Sequence, residues 1–377
     1  MPLNVLVVPD KFKGTLTAQA AAELIARGWR EARPDDHLVL LPMSDGGDGF
    51  GAVLSGLVEG EEQSLATVDA AHRPLQASWW WDRRTQTAII ESAGIIGLAL
   101  LPPNKFHPFD LDTIGLGAAL QATAEKGARN CLMGLGGSAT NDGGFGLARA
   151  LGWRLLDEND RPIGKWTDLA SLQRICPPSP ERKFPDLIVA VDVRNPLLGP
   201  EGASRVYGPQ KGLRPEDFEQ AEKCLGRLAE VVERDLRVAA AREPGSGAAG
   251  GLGFGLRSFI NARLESGFDL FAHHARLEER IRAAGLVITG EGAIDRSTLM
   301  GKGVGEIARM CQAANVPCIG LAGACSDTEI PQRASEFCFT KLFGMSPHLT
   351  TPELARRDAT FWLPRLAAEV ARNWRGF

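Results

Sequence analysis

The feature that most constrains this chain is the alternation of short Val/Ile/Leu-rich runs with helical patterns, each run ending in an acidic or glycine-rich loop. Uninterrupted apolar runs suit strands covered on both faces, and helical segments between them suit parallel pairing, so the pattern predicts an α/β protein. The N-terminal part reads as a strand at 4–8, a helix at 16–32 and a strand at 37–41. The C-terminal part reads as strands at 286–289, 318–321 and 337–342, a helix at 303–314, and a long amphipathic helix running from 351 to about 374. Two strands from one end and three from the other fit one flavodoxin-like, five-stranded parallel sheet, provided that the middle is an insertion. The expected division is residues 1–62 plus 281–377 as a discontinuous domain, with 63–280 as an inserted α/β domain. Strands are expected in the insert at 77–81, 87–91, 130–133 and 187–191, and helices at 111–126, 145–151, 215–236 and 252–264.

With 42 Lys plus Arg against 46 Asp plus Glu, the formal charge is 42 − 46 = −4. A duplex-binding protein normally carries a basic surplus, so nucleic acid is disfavoured and a small molecule is the best partner class. No run approaches the roughly 20 apolar residues of a membrane span, and the start lacks the basic and small-residue features of a secretory leader. The seven cysteines include no C-x-x-C pair and no neighbouring histidines. They read as reduced thiols of a cytoplasmic protein. Self-association stays open.

In an open parallel sheet ligands collect beyond the carboxyl ends of the strands, so the residues that follow each strand carry most of the information. Here they are Pro9-Asp10-Lys11-Phe12-Lys13-Gly14, Met43-Ser44-Asp45-Gly46-Gly47-Asp48-Gly49, Asp192-Val193-Arg194-Asn195 and Gly290-Glu291-Gly292-Ala293-Ile294-Asp295. Carboxylates in such loops suit Mg²⁺, which takes one or two of them together with phosphate oxygens, and glycines let backbone N–H groups approach phosphate. Taken singly, each Asp serves equally well as a helix cap or an Asx turn. Lys13, Lys211 and Lys302 sit beside glycines, but no Walker P-loop sequence is present.

A second signal is the turn from Gly134 through Gly136, Gly137, Ser138, Ala139, Thr140, Asn141 and Asp142 to Gly143-Gly144. A glycine-rich turn between strand and helix suits a phosphate or a carboxylate. Gly134-x-Gly136-x-x-Ala139, with Asp157 beyond it, also fits the spacing of a dinucleotide fingerprint, which supplies a rival NAD-type oxidoreductase reading. Against that reading, Asn141-Asp142-Gly143-Gly144 interrupts the place where the helix should already run. A non-enzymatic two-domain protein binding a small acid is the third reading.

Taken together, these loops resemble the type I glycerate kinases. The resemblance also takes in Gly208-Pro209-Gln210-Lys211-Gly212 and Gly247-Ala248-Ala249-Gly250-Gly251, and it runs in the family's order across nearly the whole chain. It implies two α/β domains, one inserted in the other, and ATP-dependent phosphorylation of D-glycerate, typically at the 2-hydroxyl, with the 3-hydroxyl as the alternative. The chain departs from the family where it has Lys11 for Ser, and Ala293 and Ser297 for Arg and Gln. On chemistry and placement the nucleotide phosphates go to Gly290, Glu291, Gly292, Asp295 and Lys302, and Mg²⁺ to Asp45, Asp192 or Asp295. Glycerate's carboxylate goes to the turn of Ser138, Thr140 and Asn141, where helix-end N–H groups were expected to receive it, with Asp10 and Arg194 completing the substrate set. Lys13 is assigned to transition-state charge and Asp192 to orienting or deprotonating the hydroxyl, with Asp45 as the third catalytic candidate.

Overall fold

The computed structural model describes residues 2–180, 184–294, 303–325, 334–335 and 338–374. The chain separates into two compact units, residues 1–45 with 268–377 and residues 46–267, the first being built from both ends of the chain. Strands are numbered in chain order over both units.

In the first unit, β1 (Asn4–Pro9), β2 (His37–Leu40), β11 (Leu286–Ile294), β12 (Cys318–Cys325) and β13 (Lys341–Gly344) form one parallel sheet in the order β13-β12-β11-β1-β2. Numbered within the unit, that order is 5-4-3-1-2. Val5, Leu6, Val7 and Val8 are all buried, as a central strand covered on both faces demands. The helix Ala18–Ala32 starts where Thr17 Oγ1 accepts the Ala20 N–H at 3.1 Å, and it turns Ala22, Ile25 and Trp29 inward. The helix Ala359–Asn373 lies against it, so closely that a Cβ on Gly28 would sit 1.9 Å from the Pro364 carbonyl oxygen. The helix expected to run on from 351 is two helices, Pro352–Arg357 and Ala359–Asn373, meeting at Asp358.

The second unit holds β3 (Glu61–Val68), β4 (Pro74–Asp82), β5 (Thr87–Glu91), β6 (Asn130–Gly134), β9 (Asp186–Val191) and β10 (Arg263–Ser266), in the order β10-β9-β6-β5-β4-β3. Pairing is parallel from β10 to β5 and antiparallel from β5 to β3. A small antiparallel ribbon, β7 (Arg154–Leu156) with β8 (Arg174–Cys176), sits apart from that sheet. Trp79 and Trp81 point into the core, while Trp80 lies on the other face against the helix Phe50–Val58, where a Cβ on Gly51 would fall 2.0 Å from its ring. That packing explains why the units divide after residue 45, and not after 62 as the sequence pattern suggested. At the other junction the helix Leu277–Ala283 packs with β1 and with the helix Gly303–Ala313, so the division falls at 267, not 280.

Other boundaries moved for local reasons. The helix expected over 252–264 is Ala248–Ile260; Asn261, at φ +55°, ends it in the left-handed conformation, and β10 follows. β11 and β12 run past their apolar cores because their glycine- and alanine-rich ends still pair, Glu291 with Ala322 and Ala293 with Ala324. No helix among the described residues is long and apolar enough to cross a membrane.

Gly28 carries a prediction whose sign is set by competition. Alanine is a better helix former than glycine by about 1 kcal/mol, but overpacking a tight contact costs about 1–3 kcal/mol, and here the neighbour is backbone that cannot rotate away. Gly28→Ala is therefore expected to lower unfolding free energy by about 1–2 kcal/mol in urea melts. A stabilised variant would show that the two helices separate freely.

Candidate functional site

In the first unit the ligand end of the sheet is a pocket of about 330 Å³ whose lining includes Lys11, Lys13, Glu291, Gly292, Gly323 and Arg356. After β1, Asp10 N donates to the Gly290 carbonyl at 2.8 Å and Lys11 N to Asp10 Oδ1 at 2.7 Å. The buried Phe12 then anchors a tight turn in which Thr15 N and Oγ1 both donate to the Phe12 carbonyl at 2.8 Å. Gly14, at φ +78°, completes that turn and leaves Lys13 exposed. Backbone packs closely here: in the floor a Cβ on Gly323 would fall 2.4 Å from the Gly292 carbonyl oxygen, and just beneath it one on Gly290 would fall 1.9 Å from that of Leu321. Gly290, Glu291 and Gly292 are thus strand residues, where the sequence pattern had suggested a loop. Lys11 Nζ stands 3.7 Å from Asp45 Oδ1. Asp295 and Lys302 lie outside the described residues.

In the second unit the segment between β6 and the helix Phe145–Ala150 carries Ser138, Thr140, Asn141 and Asp142, all buried. Its glycines are occupied by protein. A Cβ on Gly136 would sit 2.3 Å from Gly47 Cα, and Gly136 N donates to the Gly46 carbonyl at 3.1 Å. The helix end is occupied as well. Asp142 accepts from Thr113 Oγ1 at 2.8 Å, Thr113 N at 3.0 Å, Gly146 N at 2.9 Å and Gly144 N at 3.2 Å. The anion at this helix terminus is therefore the chain's own carboxylate, which corrects the expectation that helix-end N–H groups would receive a substrate there. The same finding removes the dinucleotide fingerprint: the close-approach glycines are filled, the helix starts only at Phe145, and Asp157 makes a turn with Asn159 and Arg161.

What the loop does offer is side chains. Lys211 ends the helix Ala203–Lys211, where Gly212 turns the chain at φ +107°. Its ammonium lies 2.7 Å from the Thr140 carbonyl oxygen and 3.2 Å from Ser138 Oγ. Burial pulls Lys211 down to about 7, with the Asp142 charge pulling the other way. Burial likewise lifts Asp142 to about 6, helped by Asp112 and opposed by the hydrogen bonds from Gly146 and Thr113. Asn141 Nδ2 donates to Ser204 Oγ at 2.9 Å, while its buried Oδ1 has no hydrogen-bond partner among the described residues. Gly250, at φ +69°, backs directly onto Thr140, where a Cβ would fall 2.0 Å from the carbonyl oxygen.

β9 neighbours β6, so the chain after β9 leaves the same end of the sheet. Asp192 and Arg194 are exposed there. Tyr207 Oη donates to Asn195 Oδ1 at 2.5 Å, and its pKa is pushed up to about 12 by burial and then by the Asp192 charge. Lys211, Ser204 and Tyr207 all come from one helix whose motif was visible in Gly208-Pro209-Gln210-Lys211-Gly212. The glycine beside Lys211 marks it in the sequence, but as a lysine for phosphate; its buried contacts to the Thr140 carbonyl and Ser138 Oγ are what the structure adds.

The fold and these two ligand ends define a two-unit α/β protein with a glycine-floored basic pocket in one unit and a buried polar loop in the other. Residues 5–375 match the model of the glycerate kinase family, and the chain belongs to that family. It is 37% identical over 328 residues to the glycerate 2-kinase of Escherichia coli strain K12, covering 86% of each chain. It is 35% identical over 371 residues to a glycerate kinase of Halalkalibacterium halodurans, covering 98% of this chain and 97% of that one. A crystal structure from Salmonella typhimurium LT2, assigned to glycerate kinase 2, superposes with a TM-score of 0.81 at 32% identity, covering 98% of both chains.

Removing Asp142 tests the loop's internal anion. Asp142→Ala leaves several buried donors without an acceptor, and breaking such a buried network costs about 3–5 kcal/mol. Chemical denaturation should report a loss of that size, with Asp142→Asn intermediate because one acceptor oxygen survives. A loss under about 1 kcal/mol would mean that the loop is held by other contacts.

Proposed function

We propose that this chain transfers the γ-phosphoryl group of ATP to the 2-hydroxyl of D-glycerate, giving 2-phosphoglycerate and ADP. The observation that carries the reading is membership of the glycerate kinase family over essentially the whole chain, with the family's loops at the carboxyl ends of the strands. The strand order β13-β12-β11-β1-β2 supports a flavodoxin-like reading of the first unit, with β1 and β11 flanking the point where strand order reverses. Its pocket includes residues that follow β1 and residues of β11, and its volume lies within the range of about 300–1,000 Å³ usual for small-molecule sites. The pocket supports an assignment of the nucleotide phosphates to this part of β11, at Glu291 and Gly292 with Gly290 just before them; Asp295 and Lys302, the other expected contacts, lie outside the described residues.

Phosphoryl transfer asks the protein chiefly to position the reactants and neutralise charge. Lys13, exposed at the tip of its turn, supplies positive charge for the transferring group. Asp192 takes the proton of the 2-hydroxyl as its oxygen bonds to phosphorus and the bond to the ADP oxygen breaks. Ser138, Thr140 and Asn141 hold glycerate in the second unit, with Arg194 as a further contact there. The unpartnered Asn141 Oδ1 is suited to accept from a substrate hydroxyl.

Mg²⁺ commonly takes one or two carboxylates together with substrate phosphates and waters, so it does not need a protein cage. Among the described residues no three His, Cys, Asp or Glu side chains converge. Asp45 in the first unit and Asp192 in the second are each hard oxygen donors of the kind such an ion takes, and an ion held by either would neutralise phosphate charge; Asp295 lies outside the described residues. Lys11 already balances part of the Asp45 charge.

Incubation with ATP, Mg²⁺ and D-glycerate should give ADP and a phosphoglycerate whose NMR spectrum places phosphate on carbon 2. A folded sample that binds ATP yet turns over neither glycerate enantiomer would overturn the activity, and phosphate on carbon 3 would overturn the regiochemistry. Asp192→Asn should fold normally and lose about 10²–10⁴ in kcat. Near-full activity in that variant would reduce Asp192 to a turn residue.

A further inference from the structure

The polarity of the loop after β6 is set from outside the loop. Lys211 reaches it from the end of another helix, is almost fully buried, and uses its ammonium on the Thr140 carbonyl oxygen at 2.7 Å and on Ser138 Oγ at 3.2 Å. An ammonium can only donate, so Ser138 Oγ is the acceptor of that bond. A hydroxyl whose lone pair is engaged still has one proton to give. Its hydrogen-bond partner within the loop, Thr140 Oγ1, is 3.5 Å away, too far for a strong bond. The Ser138 proton thus remains to be given to an anion that enters.

We propose that Lys211 is the positioning residue of the glycerate site: by occupying the acceptor side of Ser138 it obliges that hydroxyl to donate to the substrate carboxylate. The inference rests on reading the Ser138, Thr140 and Asn141 turn as the place of that carboxylate. Lys211 itself need not touch the substrate. It works through Ser138, and through the Thr140 carbonyl that fixes the turn.

The consequence is a pH dependence confined to one substrate. While Lys211 is an ammonium, Ser138 donates outward. Once it becomes a neutral amine it can accept the Ser138 proton, and the donor turns away from the substrate. Burial places that change near 7, the Asp142 charge opposing it. The charged groups that face Lys211 are Asp142 on the same loop and, beyond it, Asp112 with His72 Nε2 at 3.0 Å. Variants of Lys211 leave those groups in place, so they separate its titration from theirs.

The test measures KM for D-glycerate and for ATP from pH 6 to 9, together with calorimetric binding of D-glycerate alone. In the unaltered protein, KM and Kd for glycerate should rise about ten- to a hundredfold as pH passes upward through 7, the loss of one hydrogen bond to a charged group, while KM for ATP stays flat. Lys211→Met should weaken glycerate by a similar factor at every pH and flatten the profile. Lys211→Arg, which stays charged, should restore tight binding and carry it to higher pH. Ser138→Ala, a surrogate should the Lys211 variants not fold, should abolish the step as well. If the unaltered protein does not turn over D-glycerate, the glycerate reading falls and this inference with it. If it is active but its glycerate profile persists unchanged in Lys211→Met or Ser138→Ala, or if the ATP constant moves instead, the inference alone is overturned.

Discussion

A buried ammonium and a buried carboxylate, Lys211 and Asp142, are the constraint to which the ligand end of the second unit is fitted. Each would cost several kcal/mol if left unpaired in the interior, so each must be met by dipoles brought close enough to replace water. For Asp142 those are the N–H groups of Thr113, Gly144 and Gly146 and the Thr113 hydroxyl. For Lys211 they are the Thr140 carbonyl and the Ser138 hydroxyl. Bringing them close dictates small residues behind the loop, which is why Gly250 lies where a side chain would strike the Thr140 carbonyl. The glycine spacing of the motif follows from electrostatic need as much as from chain reversal.

The same unit caps a second helix in the same way. Glu91, at the end of β5, accepts from Gly49 N at 2.9 Å and Gly51 N at 3.0 Å, placing a carboxylate at the start of the helix Phe50–Val58. With Asp142 that makes two helix N-termini neutralised by the chain's own acids. The positive ends of these helices are spent on holding the fold.

Much of the architecture was legible in the sequence because parallel strands buried on both faces show as unbroken apolar runs: β1, β5, β6 and β9 fall within a residue or two of the expected positions. β3 escaped notice because its sequence, Glu61-Glu62-Gln63-Ser64-Leu65-Ala66-Thr67-Val68, belongs to an antiparallel edge with one wet face and carries little apolar signal. β10 was absorbed into a helix because apolar spacing continues through Asn261, whose left-handed turn is what separates the two. In the candidate site, the positions of the loops that carry Ser138 and Asp192 were legible from their place after strands. The buried contacts of Lys211 were not, because burial and the acceptors its ammonium reaches are not encoded locally.

The glycine-rich turns show most clearly what sequence pattern leaves open. Gly134 and Gly136 look like phosphate-binding glycines, yet the space above them is taken by Gly46, Gly47 and Phe50, so close approach serves packing. Gly292 and Gly323 are no more conspicuous in sequence, yet both line an open pocket beside Lys11 and Lys13. Backbone from another segment closes on glycines of both kinds, and what differs is whether a pocket stays open beside them. At Gly136 the segment after residue 45 fills the space. At Gly292 the turn after β1 comes up to the strand, its Lys13 nitrogen 3.0 Å from where a Cβ would stand, and the pocket stays open beside it. Charge follows the same division: the filled turn holds its own Lys and Asp inside, whereas the open pocket keeps Lys13 exposed, with positive charge still available to a polyanion.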